Sequence, residues 1–121
     1  MTSQSIPMIP MIKQFVALVK LEHFDNSPSF VEELAENVVS DLDLKVVKKM
    51  SYIFSPTGIT LGYILSQSHL VIHTYPEKRV IHVDLVICND HKEKEFENSL
   101  KYALSEHEIQ SIQVKTLNFD G

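Results

Sequence analysis

At 121 residues the chain is long enough for one domain with a real hydrophobic core and too short for two. Its 44% hydrophobic and 22% charged residues are ordinary for a globular protein, and its net charge of −5 argues against nucleic-acid binding, because no basic stripe could neutralise phosphates. No apolar run approaches the ~20 residues that span a bilayer, and a single cysteine excludes an internal disulfide.

The chain begins with a short leader, a strand and a helix. Residues 1–11 contain Pro and Met and are predicted to be flexible; they lack the features of a signal peptide, so we expect a cytoplasmic protein. The β-branched, apolar run 15–21 predicts the first strand. Ser29 and Glu32 have capping-box spacing, and apolar residues recur behind them at helical intervals, which predicts an amphipathic helix over 29–41. Residues 12–121 are expected to form one domain.

Two strands and a β-hairpin follow. Strand periodicity returns over 44–53, Ser-Pro-Thr-Gly at 55–58 predicts a turn, and 59–65 predicts the next strand. Apolar residues then alternate on both sides of residues 76–78, which centres a hairpin between Glu77 and Lys78. This register pairs Leu70 with Leu85, Ile72 with Val83, and His73 with His82. The second face of the hairpin then carries His69, His73, His82, Asp84 and Cys88, with Cys88 opposite Gln67.

A second helix and a last strand complete the predicted order. Asp90 is positioned to cap the helix, in which Phe96, Leu100 and Leu104 keep helical spacing, and 109–117 alternates as a strand. The order β-α-β-β-β-β-α-β predicts an α+β two-layer sandwich, with two helices on one face of a mostly antiparallel sheet. The other face needs cover, so we expect a homodimer.

The most specific pattern lies between residues 54 and 88. Ser66 to Glu77 reads Ser-Gln-Ser-His-Leu-Val-Ile-His-Thr-Tyr-Pro-Glu, with Phe-Ser-Pro-Thr-Gly upstream at 54–58 and Cys88 downstream. It resembles the processing segment of the prokaryotic S-adenosylmethionine decarboxylase proenzymes, whose members read Glu-Ser-His, then apolar residues, then His-Thr-Trp-Pro-Glu. The resemblance runs without a gap over this region and more loosely over 12–117.

The resemblance implies a self-processing, pyruvoyl-dependent decarboxylase of a small-molecule substrate. Ser68 is then the serine that attacks the carbonyl of Gln67, so that cleavage gives fragments 1–67 and 68–121 and converts Ser68 into the pyruvoyl cofactor. The resemblance also implies roles for five other side chains: His73 as the base of the elimination step, Thr60 as an aid to processing, Cys88 as the acid that protonates the substrate carbon, Phe54 as a ring stacked on adenine, and Glu77 as an acceptor for the ribose hydroxyls.

Each of these side chains also has a simpler explanation. Alone, His73 is more often a satisfied sheet-face histidine, Cys88 a buried small hydrophobe, Phe54 ordinary core, and Glu77 a solvated turn residue. No metal site is indicated. His69 and His73 lie about 13 Å apart on a strand, and the pair formed by His73 and its cross-strand histidine lacks a third ligand.

Departures from the family pattern leave the substrate open. Gln67 stands where the family usually has Glu, a change that the acyl shift tolerates because it uses the backbone carbonyl. Residues 12–14 (Ile-Lys-Gln) replace Gly-Arg-His, and Lys78-Arg79 replaces an aromatic-Gly pair. The leading function is decarboxylation of S-adenosylmethionine for spermidine synthesis. The alternatives are pyruvoyl-dependent decarboxylation of arginine or ornithine on the same fold, and ligand or partner binding by a homologue that does not cleave.

Overall fold

The computed structural model describes residues 11–25 and 27–119, so the predicted leader lies outside the described residues except for Met11. Strands and helices follow in the predicted order, which is confirmed. The elements are β1 (Ile12–Leu21), α1 (Pro28–Asp41), β2 (Val46–Ile53), β3 (Ile59–Leu65), β4 (Ser68–Tyr75), β5 (Val80–Ile87), α2 (Glu93–Ala103) and β6 (Ile109–Phe119).

All six strands form one antiparallel sheet in the order β2-β3-β4-β5-β1-β6. Strands β2 to β5 are sequential neighbours, whereas α1 carries the chain from β1 across the sheet to the edge strand β2. The α+β sandwich with two helices is thereby confirmed. Within the described part of the chain, neither helix is long and apolar enough to cross a membrane.

Side-chain alternation gives the sheet one buried face and one open face. On the buried face, large apolar side chains pack against α1 and α2, and burying each stabilises the fold by about 1.5–3 kcal/mol. The fully buried members on the sheet include Phe15, Val19, Leu21, Leu70, Ile72, Ile81, Leu85 and Ile87, and the same core contains Phe96 and Leu100 of α2. We call the other side the open face. It carries Val16 and Leu18 of β1, His73 of β4, and His82 and Asp84 of β5.

The open face keeps large apolar side chains in contact with solvent. Leu18 is 44% exposed, Ile64 is 51% exposed and Met50 is 60% exposed, although all three belong to strands of the sheet. Large apolar side chains left in contact with solvent on one face of a sheet are typical of interaction sites. The homodimer stays a prediction.

Helix α1 is tied to the sheet by a buried tyrosine. The Tyr63 hydroxyl donates to Glu36 Oε2 over 2.5 Å, and Lys49 Nζ donates to the same oxygen over 2.7 Å. The Lys49 and Tyr63 hydrogen bonds lower the pKa of Glu36 below its usual 4.5. Burial, together with the Glu36 carboxylate, raises the pKa of Tyr63. The three groups therefore join α1, β2 and β3.

Both predicted helix caps are wrong. Helix α1 begins at Pro28, whose fixed φ and missing N–H suit a first turn, and Ser27 Oγ accepts from Phe30 N over 3.3 Å. Ser29 therefore lies inside the helix and does not cap it. Helix α2 begins at Glu93, after Lys92, whose backbone N–H donates to the Glu95 carboxylate over 2.8 Å.

Strand boundaries differ from the prediction by two or three residues. Strand β1 begins at Ile12 and not at 15, because β6 supplies a pairing partner as far as Phe119. Strand β2 begins at Val46 and not at 44, because Asp43 takes φ 53° to end the preceding helix. The predicted strand 59–65 is confirmed.

Candidate functional site

The predicted hairpin register is confirmed by the pairing of β4 with β5. Leu70 pairs with Leu85, Ile72 with Val83 and His73 with His82. A short 3-10 turn, Pro76–Lys78, and Arg79 in the left-handed region connect the strands. The turn centre expected between residues 77 and 78 therefore holds, and the apolar partners are buried while the two histidines lie on the open face.

The scissile bond expected from the sequence lies in the tight turn between β3 and β4. Leu65 pairs with Ser68, so only Ser66 and Gln67 form the turn, and Gln67 has φ 59°. A non-glycine residue in the left-handed region of backbone conformation costs about 1–2 kcal/mol. The peptide bond that joins Gln67 to Ser68 therefore follows a strained residue.

Cys88 lies against this turn. Its thiol donates to the carbonyl oxygen of Gln67 over 3.0 Å, across 21 positions of sequence. Ser68 is half-buried and shares with Gln67 and Cys88 a cavity of about 230 Å³. Cys88 is exposed, so the alternative that it is a buried small hydrophobe is wrong.

A second group of predicted site residues surrounds His73. Thr60 is its cross-strand partner on β3, and Thr60 Oγ1 is hydrogen-bonded to His73 Nδ1. This contact fixes the plane of the imidazole and leaves Nε2 directed away from the threonine. The hydroxyl and the imidazole therefore act as one unit on the open face.

Aromatic rings border that unit. The Phe54 ring lies 5.8 Å from the His73 ring and 4.8 Å from the Tyr52 ring, and the Tyr75 ring lies 4.6 Å from that of His73. Phe54 is 42% exposed, so the alternative that it is ordinary core is wrong. The involvement of Tyr52 was missed; the period-two spacing of Met50, Tyr52 and Phe54 was the available signal.

The turn that follows β2 positions Phe54. The Ser55–Pro56 peptide bond is cis, and Phe54 N donates to Gly58 O over 2.8 Å. Gly58 has φ 105°, and a Cβ there would lie 3.3 Å from the Thr74 carbonyl oxygen. Glycine is therefore required for this close approach.

One polar contact on the open face was not predicted. Gln14 Nε2 donates to Asp84 Oδ1 over 2.9 Å, which joins β1 to β5. Lys13, its sequence neighbour, faces away from the open face and donates to the His91 carbonyl oxygen over 3.0 Å. Of these two departures from the family pattern, the one at Gln14 therefore affects the open face.

Within one chain the predicted site residues fall into two groups. Gln67, Ser68 and Cys88 lie together at one end of β4, whereas His73 lies five residues along the same extended strand, about 16 Å away. Phe54 and Thr60 belong to the His73 end, and Glu77 lies exposed in the 3-10 turn beyond it. One chain does not bring His73 to Ser68. Among residues 11–25 and 27–119, no group of three or more metal-binding side chains is close enough to hold an ion.

Comparison with known proteins identifies related sequences and a related fold. The family model for S-adenosylmethionine decarboxylase matches residues 20–117. An S-adenosylmethionine decarboxylase proenzyme from Clostridium botulinum is 35% identical over 60 residues, 50% of this chain and 52% of that protein. One from Methanococcus maripaludis is 33% identical over 67 residues, 55% of this chain and 54% of that protein. The chain thus spans about half the length of these curated relatives.

A solved structure has the same fold. The crystal structure of the adenosylmethionine decarboxylase from Aquifex aeolicus matches with a TM-score of 0.69 and 22% sequence identity, over 92% of this chain and 91% of that chain. At this identity the likeness concerns the fold, and it agrees with the six-stranded sheet and two helices described above.

Proposed function

The chain belongs to the S-adenosylmethionine decarboxylase family, and we propose that it is a self-processing, pyruvoyl-dependent enzyme that decarboxylates S-adenosylmethionine. The contact between Cys88 Sγ and the Gln67 carbonyl oxygen, 3.0 Å long, is the observation that supports this proposal most directly. It joins the predicted acid to the predicted cleavage point, although the two residues are far apart in the sequence.

Processing requires the Ser68 hydroxyl to reach the carbonyl carbon of Gln67. Attack there breaks the peptide C–N bond and leaves an ester between Gln67 and the serine oxygen, with a free amine on Ser68. The strained backbone of Gln67 raises the energy of the starting peptide. Donation from the Cys88 thiol polarises the carbonyl under attack and stabilises the negative charge that develops on its oxygen.

Cleavage is completed by an elimination. A base removes the α-proton of Ser68, the Cβ–O bond breaks, and Gln67 leaves as a carboxylate. Water then adds to the imine tautomer of the resulting dehydroalanine and releases ammonia, which leaves a keto group. The residues around Ser68 fit a group made in this way, because a cavity of about 230 Å³ lies next to the serine and the thiol.

The base of that elimination comes from a second copy of the chain. A proton is transferred over hydrogen-bond distances, about 3 Å, whereas His73 lies about 16 Å from Ser68 on the same strand. A two-fold axis through the open face near the middle of β4 brings Ser68 of one copy to His73 of the other. The same arrangement buries the exposed Leu18, Ile64 and Met50, which a single chain leaves in water.

In turnover, a pyruvoyl group supplies an electrophilic ketone that takes up the substrate amine and accepts the electrons released when CO2 leaves. The protein side chains bind and protonate. Phe54 and Tyr75 offer faces for an adenine ring, and Glu77 offers a carboxylate to the ribose hydroxyls. Cys88 returns a proton to the substrate carbon after decarboxylation.

Mass spectrometry of the purified chain tests the processing step. We expect fragments 1–67 and 68–121, with the N-terminus of the second blocked to Edman degradation, and an uncleaved Ser68→Ala chain. Ser66→Ala is the matched control in the same turn and should cleave normally. An intact wild-type chain after long incubation at neutral pH would refute self-processing.

Turnover of the processed protein tests the substrate. We expect CO2 release from S-adenosylmethionine, with arginine and ornithine as comparison substrates. Preference for either comparison substrate would agree with the proposed cofactor chemistry but contradict S-adenosylmethionine as the substrate. Processing without turnover of any of the three would contradict the proposed decarboxylation of S-adenosylmethionine.

A further inference from the structure

His82 is an open-face imidazole that neither processing nor proton return uses. It pairs with His73 of β4 on one side and with Leu18 of β1 on the other. It is half-buried, and no hydrogen bond or ion pair joins its imidazole to any other residue that the structure describes. Asp84, two positions along the same strand, accepts a hydrogen bond from Gln14 Nε2. His82 therefore presents ring nitrogens without a protein partner next to the proposed base.

Different side chains border His73 in the two directions across the sheet. The rings of Tyr52 and Phe54 lie on the side of β2 and β3, 4.8 Å from each other. His82 lies on the opposite side, on β5. In the proposed dimer, Ser68 and Cys88 of the second copy lie at His73. A substrate whose nucleoside stacks on Phe54 and whose reacting carbon lies there directs the rest of its amino-acid end towards His82.

We propose that His82 binds the α-carboxylate of the substrate through an imidazole N–H. This inference rests on the proposed function, although it holds for any α-amino acid substrate, since all carry this group. Leu18 provides an apolar wall beyond the imidazole. A carboxylate held there by one donor has little water around it. Because a poorly hydrated charge is unfavourable, loss of the carboxylate as neutral CO2 is favoured.

Two competitive inhibitors of the processed enzyme isolate this contact. Both are S-adenosyl sulfonium compounds that lack the α-amine and so cannot react with the cofactor. One ends in a carboxylate, whereas the other ends in a plain alkyl chain. Their inhibition constants are compared in the wild type, His82→Phe, His82→Gln and the control His23→Ala, an exposed histidine beside Glu108.

We expect His82→Phe to weaken the carboxylate inhibitor about tenfold or more and to leave the alkyl inhibitor within about twofold. His82→Gln keeps an N–H donor and should recover most of the loss, and His23→Ala should match the wild type. Equal weakening of both inhibitors, or no change in either, would overturn the role of His82. A wild-type protein that neither processes nor turns over substrate would instead contradict the proposed function. Failure of the His82 role and failure of the proposed function are therefore distinguishable.

Discussion

Combining two inactive variants, Ser68→Ala and His73→Ala, in one dimer tests whether each cleavage site draws on two copies of the chain. Each variant alone lacks one of the two groups in every site. In a mixed dimer, however, one site combines Ser68 of the His73→Ala chain with His73 of the Ser68→Ala chain. That site is complete, and the other lacks both groups.

The expected extent of cleavage in the mixture follows from the geometry of β4. Five residues of extended strand hold His73 about 16 Å from Ser68 in the same chain, so a base in cis contributes nothing to the elimination. Random pairing of equal amounts gives about half mixed dimers, so about half of the His73→Ala chains should become cleavable. Without a base, cleavage should be slower by about 10²–10⁴-fold.

Co-expression of the two variants with tags of different length allows each chain to be followed on a denaturing gel. Fragments should come from the His73→Ala chain only. The matched control replaces the partner with the double variant Ser68→Ala/His73→Ala, which cannot complement. If the mixture cleaves no better than this control while the wild type cleaves fully, the two-copy site is refuted. Light scattering that reports a monomer at micromolar concentration would refute it as well.

Three other changes probe single contacts. His73→Ala should stop at the ester, so hydroxylamine should cut it and spare Ser68→Ala; equal resistance of both would remove His73 from the elimination. Cys88→Ala should still process, though more slowly because the Gln67 carbonyl loses its donor, and should lose about 10²–10⁴-fold in turnover per pyruvoyl group; turnover per pyruvoyl group equal to that of the wild type would contradict the acid role. Tyr63→Phe should lower the free energy of unfolding by about 1 kcal/mol at neutral pH, since the Glu36 carboxylate that loses its donor is half-exposed. Because the pKa of Glu36 is lowered in the folded state, this difference should be present above pH 4.5 and shrink as the pH falls through the folded pKa; a difference that stays constant in urea melts down to pH 2 would contradict it.

The hairpin at the centre of the site was predictable from the sequence because local features fix its register. Its apolar residues alternate at period two, and Pro76 with Glu77 marks one turn position, so the pairing of His73 with His82 and the approach of Cys88 to Gln67 both follow. A shift by one residue would have turned the apolar side chains to solvent.

Helix starts and long-range contacts were harder to predict from the sequence. Ser27 and Ser29 are both good capping residues two positions apart, and the proline between them decides which one caps. The bond between Gln14 and Asp84 joins residues 70 positions apart, and it depends on β1 lying beside β5. Short-range periodicity carries no information on that neighbour relation.

Polar and apolar side chains share one row across the open face, and this has a physical consequence for the proposed dimer. Thr60, His73 and His82 form one row across β3, β4 and β5, with the apolar Leu18 of β1 next to His82. Burial of a polar group is unfavourable unless it finds a hydrogen-bond partner. Thr60 satisfies Nδ1 of His73 within the chain, whereas neither ring nitrogen of His82 has such a partner among the described residues. When a second copy covers the open face, the unsatisfied imidazole of His82 therefore favours a polar ligand at this point of the row over closer apolar packing.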